Sequence, residues 1–481
     1  MGPTKPRARS VDVESAAELA ASPDARRALT PGRLQHRKSY KAAALDTRPA
    51  SRPSRAGEVC AGCAVALVVV FLYAHLGDDA GAGPPRGRSA AVDHRTVKKE
   101  PPLVVDPRAL ARAFHATPAG TARFAARHAH DTPGLFRFAA GNLTVSGVGV
   151  GTYLGDADDE TDARVAAAIV ESVQAGVNVV DTAANYRRGR GEVAVGRALR
   201  DVFATGLAGR DEIFVSTKAG FLTTPDLLRR ALDYGARDAD FDASRRHCVA
   251  APCLRASLDA SLEKLGLEAV DVLYLHNVAE KRDDLDRAGL LDVLATAFAW
   301  LEGERRRRRI RAYGLATFAA TFRAPPGEAG SLGLARDLVP LARAAAGCRA
   351  DAADCDHGLR FAQLPVGPRF PEFWAAAYDG GRTLNESARD AGVSVVASKS
   401  LGPKLRRGED RCNAAPGASD DAGAAALHVT RSTPGLAVAL VGHKARSHVD
   451  ANLAVLGRPP LDEAAWRAAL ARDRACQAAN G

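Results

Sequence analysis

Four polar residues that could act together on a substrate each follow a short apolar segment of the chain. Asp181 ends the segment "GVNVVD" and Tyr186 lies five positions later; Lys218 ends "EIFVSTK", and His276 ends "VDVLYLH". A carboxylate, a phenol, an amine and an imidazole are all side chains that proton transfer commonly uses. Because each follows an apolar run, the pattern indicates that the ends of three buried strands bring these groups together.

A tyrosine beside a lysine suits protonation of a carbonyl oxygen. The ordinary pKa of a tyrosine, about 10, makes it a weak acid at neutral pH, and a neighbouring ammonium group lowers that pKa. Asp181 would keep Lys218 charged and oriented, while His276 would orient the substrate carbonyl. The set therefore favours proton donation from Tyr186 to an oxygen while hydride arrives at the adjacent carbon.

The elements that carry these residues form a repeating pattern of strands and helices. Short apolar runs alternate with helical patterns, which predicts a parallel sheet whose strands are buried on both faces. Eight such units predict an α/β fold, a closed (β/α)₈ TIM barrel over residues 143–458, with its chemistry at the carboxyl ends of the strands. The predicted strands are "VSGVGVGTYL", "GVNVVDT", "EIFVSTK", "AVDVLYLHN", "RAYGLAT", "LRFAQLP", "GVSVVASKS" and "LAVALVGHK".

The rest of the chain divides into four segments. Residues 1–58 are basic and rich in Pro, Arg, Ala and Ser, which predicts a disordered tail. Residues 59–77 form an apolar run, residues 78–142 are expected to be a stalk or linker with some helix, and residues 459–481 a C-terminal tail.

The apolar run 59–77 has no formally charged residue and is close to the length of about 20 residues that spans a bilayer as a helix. Three arginines precede it and two aspartates follow it, which predicts a single-pass membrane anchor with a cytosolic N-terminus. The alternative is a targeting segment, with the processed barrel in the cytoplasm or a plastid. The flanking residues are Arg48, Arg52, Arg55, Asp78 and Asp79.

The positive charge of the chain does not indicate a nucleic-acid partner. The net charge is +10, but residues 1–58 alone hold 12 Lys and Arg against 6 Asp and Glu. The run Arg305–Arg309 follows a helical pattern and is interpreted as a solvated helix end. Cys348 and Cys355 are close enough in sequence to close a small loop, although six cysteines after residue 77 also suit a reduced enzyme.

The catalytic segments resemble those of the aldo-keto reductase family, from about Leu143 to Leu456. The family's segment with its Asp and Tyr is similar to "GVNVVDTAANY", the segment with its Lys to "STKAG", and the segment with its His to "VDVLYLHN". Its later cofactor segments are similar to "RAYGLATF", "FAQLP" and "TPGLAVALVGHKARSHVDANL". The resemblance implies an NADPH-dependent reductase of small-molecule carbonyls that uses no metal, with NADH as a possible cofactor. Tyr186 would be the acid, Lys218 and Asp181 its tuning residues, and His276 the orienting group.

The resemblance also implies a set of cofactor-binding residues. Gly151, Thr152 and Asp181 would line the nicotinamide ribose, Gln363 and Thr317 would lie at the carboxamide, and the later strand ends would hold the phosphates and the adenosine. The usual Ser-Asn pair is Ala316-Thr317 here, which changes one carboxamide contact. The pyrophosphate residues would be Ser398, Lys399 and Leu401, and the adenosine residues Gly442, His443, Lys444, His448 and Asn452.

Two other functions remain open. The same barrel could be a catalytically weak, cofactor-binding regulatory or redox-sensing protein, or a barrel enzyme of another class such as a hydrolase. Arg187, Arg188 and Arg190 follow Tyr186 and are interpreted as a solvated loop rather than a clamp for an acidic substrate. Substrate identity and oligomeric state do not follow from the sequence.

Overall fold

The computed structural model describes residues 114–128, 134–318, 332–349, 355–368, 370, 382–402, 422–444 and 446–480. Within them, eight parallel strands close into a barrel in the order β10-β3-β4-β5-β6-β7-β8-β9. The predicted (β/α)₈ barrel is therefore confirmed. The strands are β1 Phe136–Ala139, β2 Leu143–Ser146, β3 Val148–Gly151, β4 Val179–Asp181, β5 Phe214–Ala219, β6 Val270–His276, β7 Ile310–Ala316, β8 Leu359–Pro365, β9 Ser394–Ser398 and β10 Leu436–Gly442.

Helices follow the strands along the chain and cover the outside of the barrel. Most begin and end within a few residues of the helical patterns in the sequence, because their apolar stripes pack on the strands. The helices are α1 Pro118–His128, α2 Asp159–Gln174, α3 Arg190–Ala204, α4 Pro225–Asp233, α5 Ala251–Leu265, α6 Val278–Lys281, α7 Arg287–Arg306, α8 Val339–Ala346, α9 Leu384–Asp390, α10 Ala422–Arg431, α11 Arg446–Leu456 and α12 Glu463–Asn480.

The first predicted strand divides into two elements. "VSGVGVGTYL" contains the end of β2 and the whole of β3, and β2 pairs antiparallel with β1 to form a hairpin. Hairpin residues Ala139, Leu143 and Val145 belong to one buried cluster with inward-facing barrel residues such as Val179 and Phe214. The hairpin therefore packs on the barrel interior at the amino ends of the strands, which leaves the carboxyl ends for the site.

The membrane part of the predicted fold is corrected. Among the residues that the structure describes, no helix is both long enough and apolar enough to cross a bilayer. The segment 59–77, on which that prediction rested, lies outside the described residues, as does the tail 1–58.

Strand register places three of the four catalytic candidates at one end of the barrel, and Tyr186 lies in the turn that follows β4 there. Asp181 is paired with Gly151 on β3 and with Ser216 on β5. Lys218 is paired with Tyr274, and His276 with Ala316, so all lie at or near the last residue of a strand. Because all barrel strands run in the same direction, these residues share the carboxyl rim.

Two disulfides join pairs of cysteines that both lie within the described residues. Cys348 is bonded to Cys355, which confirms the small loop that the sequence allowed. Cys248, in the long connection between β5 and α5, is bonded to Cys253 in the first turn of α5. The second pairing matters for the site, because it lies next to the end of β6.

Candidate functional site at the carboxyl rim

Lys218 and Asp181 form a buried ion pair at the centre of the rim. The Lys218 ammonium lies 2.5 Å from Oδ2 of Asp181 and donates a second hydrogen bond to the carbonyl of Thr182 at 2.8 Å. Both side chains are almost fully buried. Removing either partner would leave an uncompensated charge in a low-dielectric site, so the pair holds the lysine in one position.

The other oxygen of Asp181 is also fully used. Oδ1 accepts hydrogen bonds from the hydroxyl of Ser216 at 2.7 Å and from the side-chain amide of Gln363 at 2.9 Å. The hydroxyl of Thr152 donates to the Asp181 backbone carbonyl at 3.2 Å. Asp181 therefore connects strands β3, β4, β5 and β8 across the rim and cannot turn away from Lys218 without losing several bonds.

Tyr186 lies against the lysine and the histidine. The Lys218 nitrogen is 4.7 Å from the centroid of the Tyr186 ring, and the rings of Tyr186 and His276 are 6.0 Å apart in an edge-on arrangement. On its other side the Tyr186 ring contacts Tyr153, with centroids 5.0 Å apart. The structure thus brings together all four residues that the sequence singled out.

Burial controls the protonation of these groups. It raises the pKa of Tyr186 above its ordinary value, and the charge of Lys218 offsets only part of this rise. Burial acts to lower the pKa of Lys218, but Asp181 and then Tyr186 raise it above the usual range. Burial, with the Lys218 charge second, holds the pKa of His276 well below its ordinary value. At neutral pH the site therefore contains a protonated phenol, an ammonium group and a neutral imidazole.

This result changes one expectation about Tyr186. The sequence predicts that the lysine lowers the pKa of the phenol. In the structure the cost of burying a phenolate is larger than the stabilisation by Lys218. The ammonium group therefore keeps the proton transferable by limiting the rise in pKa.

The arginines behind Tyr186 are not uniformly solvated, because two of the three pair with carboxylates of α2. The Arg187 side chain is 1% exposed and pairs with Asp162 of α2, and Arg190 pairs with Asp159 and Asp162. Arg188 alone is exposed. The sequence could not separate the three residues because the carboxylates that bind them lie more than 20 positions away.

The predicted cofactor residues lie along an arc of adjacent strands. Most of them end or follow β7, β9, β10 and β3, and Gln363 lies within β8; these five strands are consecutive neighbours in the closed barrel. Asp181 ends β4, and His448 and Asn452 lie on α11. The candidate catalytic residues come from β4, β5 and β6 or the turn after β4, and the hydrogen bond from Gln363 to Asp181 joins the two groups. A long ligand could therefore lie over one half of the rim with its reactive end at Asp181.

Within this arc, some predicted cofactor residues are buried and some are exposed. Gly442, at the end of β10, is partly buried, and His443 is buried, with its Nδ1 bound to the hydroxyl of Ser172 at 2.9 Å. Burial lowers the pKa of His443 to about 4, so its ring is neutral. Asn452 of α11 is also buried. The exposed members are Lys399, Leu401, Lys444 and His448, and Ser398 is partly buried.

Thr317 is held by a residue that the sequence analysis missed. Its hydroxyl donates to Oε1 of Glu280, and the backbone N–H of Phe318 donates to the same oxygen at 2.7 Å. Glu280 belongs to the short helix α6 directly after His276. The carboxamide end of the predicted cofactor site is thus tied to the strand that carries the catalytic histidine.

Further residues of the site were not predicted. Ser216 could have been found, because it lies two positions before Lys218 and so faces the same side of β5. Tyr153 follows the glycine-rich segment of β3 and had no distinguishing signal. His247 lies against the end of β6, 29 positions before His276, and nothing in its local sequence indicates that contact.

Comparisons with known proteins agree with the site. Residues 147–321 match the sequence profile of the Aldo/keto reductase family. The chain is 34% identical over 192 residues to D-threo-aldose 1-dehydrogenase of Pseudomonas sp, which covers 38% of this chain and 53% of that protein. It is 40% identical over 107 residues to L-glyceraldehyde 3-phosphate reductase of Escherichia coli K12, covering 22% and 25%. The matches thus span about half and a quarter of these relatives.

The fold is also similar to that of a solved aldo/keto reductase from Klebsiella pneumoniae in complex with NADP and acetate. The superposition has a TM-score of 0.48 at 17% sequence identity and covers 71% of this chain and 95% of that chain. The profile match includes β3 to β7, and therefore Asp181, Tyr186, Lys218 and His276. The part of this chain that carries these four residues is therefore similar to the aldo-keto reductase family.

Proposed function

We propose that this protein transfers hydride between NADPH and a small aldehyde or ketone, or catalyses the reverse reaction. The observation that carries the proposal is the arrangement of Tyr186 between the Lys218–Asp181 ion pair and the His276 ring. Two relatives have names that support a redox reaction of this class. One is a D-threo-aldose 1-dehydrogenase, and the other is an L-glyceraldehyde 3-phosphate reductase.

The residues of this chain would each have a distinct part in the reaction. Tyr186 would donate its proton to the carbonyl oxygen, and the resulting phenolate would be stabilised by the ammonium of Lys218. Asp181 would keep that ammonium in place through the 2.5 Å contact. His276, neutral because burial lowers its pKa, would position the carbonyl oxygen next to the phenol.

The residues of the rim suit a nicotinamide dinucleotide, which would supply the hydride when bound. Nε2 of the buried His443 has no hydrogen-bond partner among the described residues, and this atom lies on the arc predicted for the adenosine end. Lys444 is exposed beside it and could bind a 2′-phosphate. Gly151 and Thr152 are adjacent to Asp181 across the β3–β4 pair, where the nicotinamide would lie.

The direct test measures the oxidation of NADPH by a panel of carbonyl compounds that includes aldoses, aldehyde phosphates and simple ketones. We expect turnover with at least one class, and a fall in kcat of about 10²–10⁴-fold for Tyr186→Phe, since that is the usual contribution of a general acid. Binding of NADPH, followed by its fluorescence, should be retained in the variant.

The control is Tyr234→Phe, which removes a phenol that is bonded to Asp259 at the surface. This variant should retain full activity. If NADPH binds but no carbonyl in the panel oxidises it, the protein is instead the cofactor-binding regulatory protein that the sequence left open. If NADPH does not bind, the proposal fails as a whole.

A further inference from the structure

The peptide group that joins His276 to Asn277 is held from both sides. The backbone N–H of Asn277 donates to the carbonyl of Ala316 on β7 at 2.7 Å. On the other side, the His276 carbonyl accepts a hydrogen bond from Nε2 of His247 at 2.7 Å. The neighbouring strand β5 has already ended there, because its last residue, Ala219, is paired with Leu275. His247 therefore binds the carbonyl just beyond the end of the ladder.

The orientation of the His276 ring depends on how this peptide group is held. Its Nδ1 is buried and has no hydrogen-bond partner among the described residues. A catalytic imidazole is usually oriented by a hydrogen bond to the nitrogen that does not face the substrate. Here the orientation must come from the backbone and from packing, because that bond is missing within the part of the chain that the structure describes.

Side-chain packing also connects His247 to the ring of His276. The ring of Phe221 lies edge-on between two imidazoles, with its centroid 5.0 Å from that of His247 and 5.0 Å from that of His276. His247 and Phe221 also form an isolated antiparallel bridge. His247 thus contacts both the peptide group of His276 and the aromatic ring that packs against its side chain.

His247 is itself fixed in one position and one tautomer. The side chain is fully buried, and burial lowers its pKa to about 4, so the ring is neutral. Since a carbonyl only accepts, the proton must be on Nε2. Gly220, at φ +140°, passes so close that a Cβ there would be 2.7 Å from Nε2 of His247. The adjacent Cys248 is bonded to Cys253 at the start of α5, which ties the segment to the barrel wall.

A purely structural histidine would be an unfavourable choice at this position. Nδ1 of His247 is buried without a partner among the described residues, which is unfavourable relative to a nitrogen that makes a hydrogen bond. An apolar side chain would avoid that cost. The chain therefore retains a destabilising nitrogen together with a donor that reaches the active-site backbone.

We propose that His247 is a positioning residue for catalysis, whose Nε2–H holds the His276 peptide so that the His276 imidazole faces the carbonyl oxygen. The proposal rests on the proposed function, in which His276 orients the substrate. His247 itself touches no reacting atom. A displacement of about 1 Å at a catalytic group can lower the rate by about 10²-fold.

The test compares His247→Gln with His247→Asn. Both replace the ring with an amide, but only glutamine is long enough to place an N–H near the position of Nε2. We expect His247→Gln to retain kcat within about threefold and His247→Asn to lose about 10–100-fold, with the KM for NADPH unchanged in both. His357→Asn is the matched control, since His357 is buried before the amino end of β8 and should leave kcat unaltered.

The outcomes separate this inference from the proposed function. Equal losses in the Gln and Asn variants, or full activity in the Asn variant, would overturn the role of His247. Absence of turnover in the wild-type protein would instead defeat the proposed function. A second measurement needs no turnover: the nitrogen chemical shifts of the His276 ring should change in His247→Asn and not in His247→Gln, and unchanged shifts in both variants contradict the proposal.

Discussion

At Tyr186 a neighbouring charge and burial act in opposite directions on the pKa of the phenol. Lys218 favours the phenolate, yet the ring is packed among Tyr153, His276 and the lysine itself, and the loss of water raises the pKa above its ordinary value. The same burial lowers the pKa of His276 and keeps its ring neutral. Tyr186 is thus protonated and His276 is neutral, which are the protonation states that the proposed carbonyl reduction needs.

We therefore expect kcat/KM for carbonyl reduction to be nearly constant from about pH 7 to pH 9. The acid form of Tyr186 is required, and a raised pKa means that this form persists to higher pH, so the alkaline decline should begin only above about pH 10. In Lys218→Met the remaining activity should decline at still higher pH, because the ammonium charge that limits the rise in the pKa of Tyr186 is gone. An alkaline decline centred near pH 8 in the wild-type protein contradicts this assignment.

The turn between β4 and α3 is the element that presents Tyr186, and its backbone is strained. Arg187 and Arg188 both adopt left-handed conformations, with φ of 49° and 58°, which costs on the order of 1 kcal/mol or more for each such residue. The Arg187 side chain is buried and bound to Asp162 near the start of α2. The ion pair therefore anchors a backbone conformation that the residues would not adopt by themselves.

Replacing Asp162 should release this turn. Asp162→Asn would leave the buried Arg187 guanidinium without its counter-charge, so we expect a loss of about 3 kcal/mol in the free energy of unfolding and a lower kcat. Asp159→Asn is the matched control: its carboxylate is 98% exposed and pairs only with Arg190 in the described region, so it should cost less than about 1 kcal/mol. Equal stability of the two variants in a urea titration argues against the anchoring role.

Across the whole barrel, buried neutral histidines make stability depend on acidity. In the described part of the chain, burial lowers the pKa of four histidines to about 4; they are His247, His357, His428 and His443. When the chain unfolds, each returns to its ordinary value and binds a proton below about pH 6.5. Stability is therefore unaffected by these groups above that pH and falls as the solution becomes more acidic.

At pH 5 each of these histidines should cost about 2 kcal/mol, because the unfolded chain is protonated and the folded one is not. We expect Tm to fall by at least about 10 °C between pH 7 and pH 5. His428→Gln should make the decline shallower by about one fifth, since burial also lowers the pKa of His276 and one of five such groups no longer titrates. A Tm that is constant over this range, or an unchanged slope in the variant, contradicts the prediction.

Local sequence was sufficient to predict the barrel and the placement of the four candidate residues at its rim. Strand segments such as Val270–His276 are apolar throughout because both faces are buried, and a polar residue at the end of such a segment marks the rim. The β1–β2 hairpin was missed because its short strands run directly into β3 in the sequence. Glu280 was missed because its partners, Thr317 and Phe318, lie almost 40 positions later, just after the end of β7.

The sequence by itself determined which groups reach the rim, because strand periodicity and strand direction are local properties. Tertiary packing determined their state: the raised pKa of Tyr186, the buried ion pair of Arg187 and the contact from His247 to His276 all join segments that are distant in the chain. Burial and hydrogen bonding depend on the neighbours that the fold brings together, and these cannot be read from the residues on either side of a position.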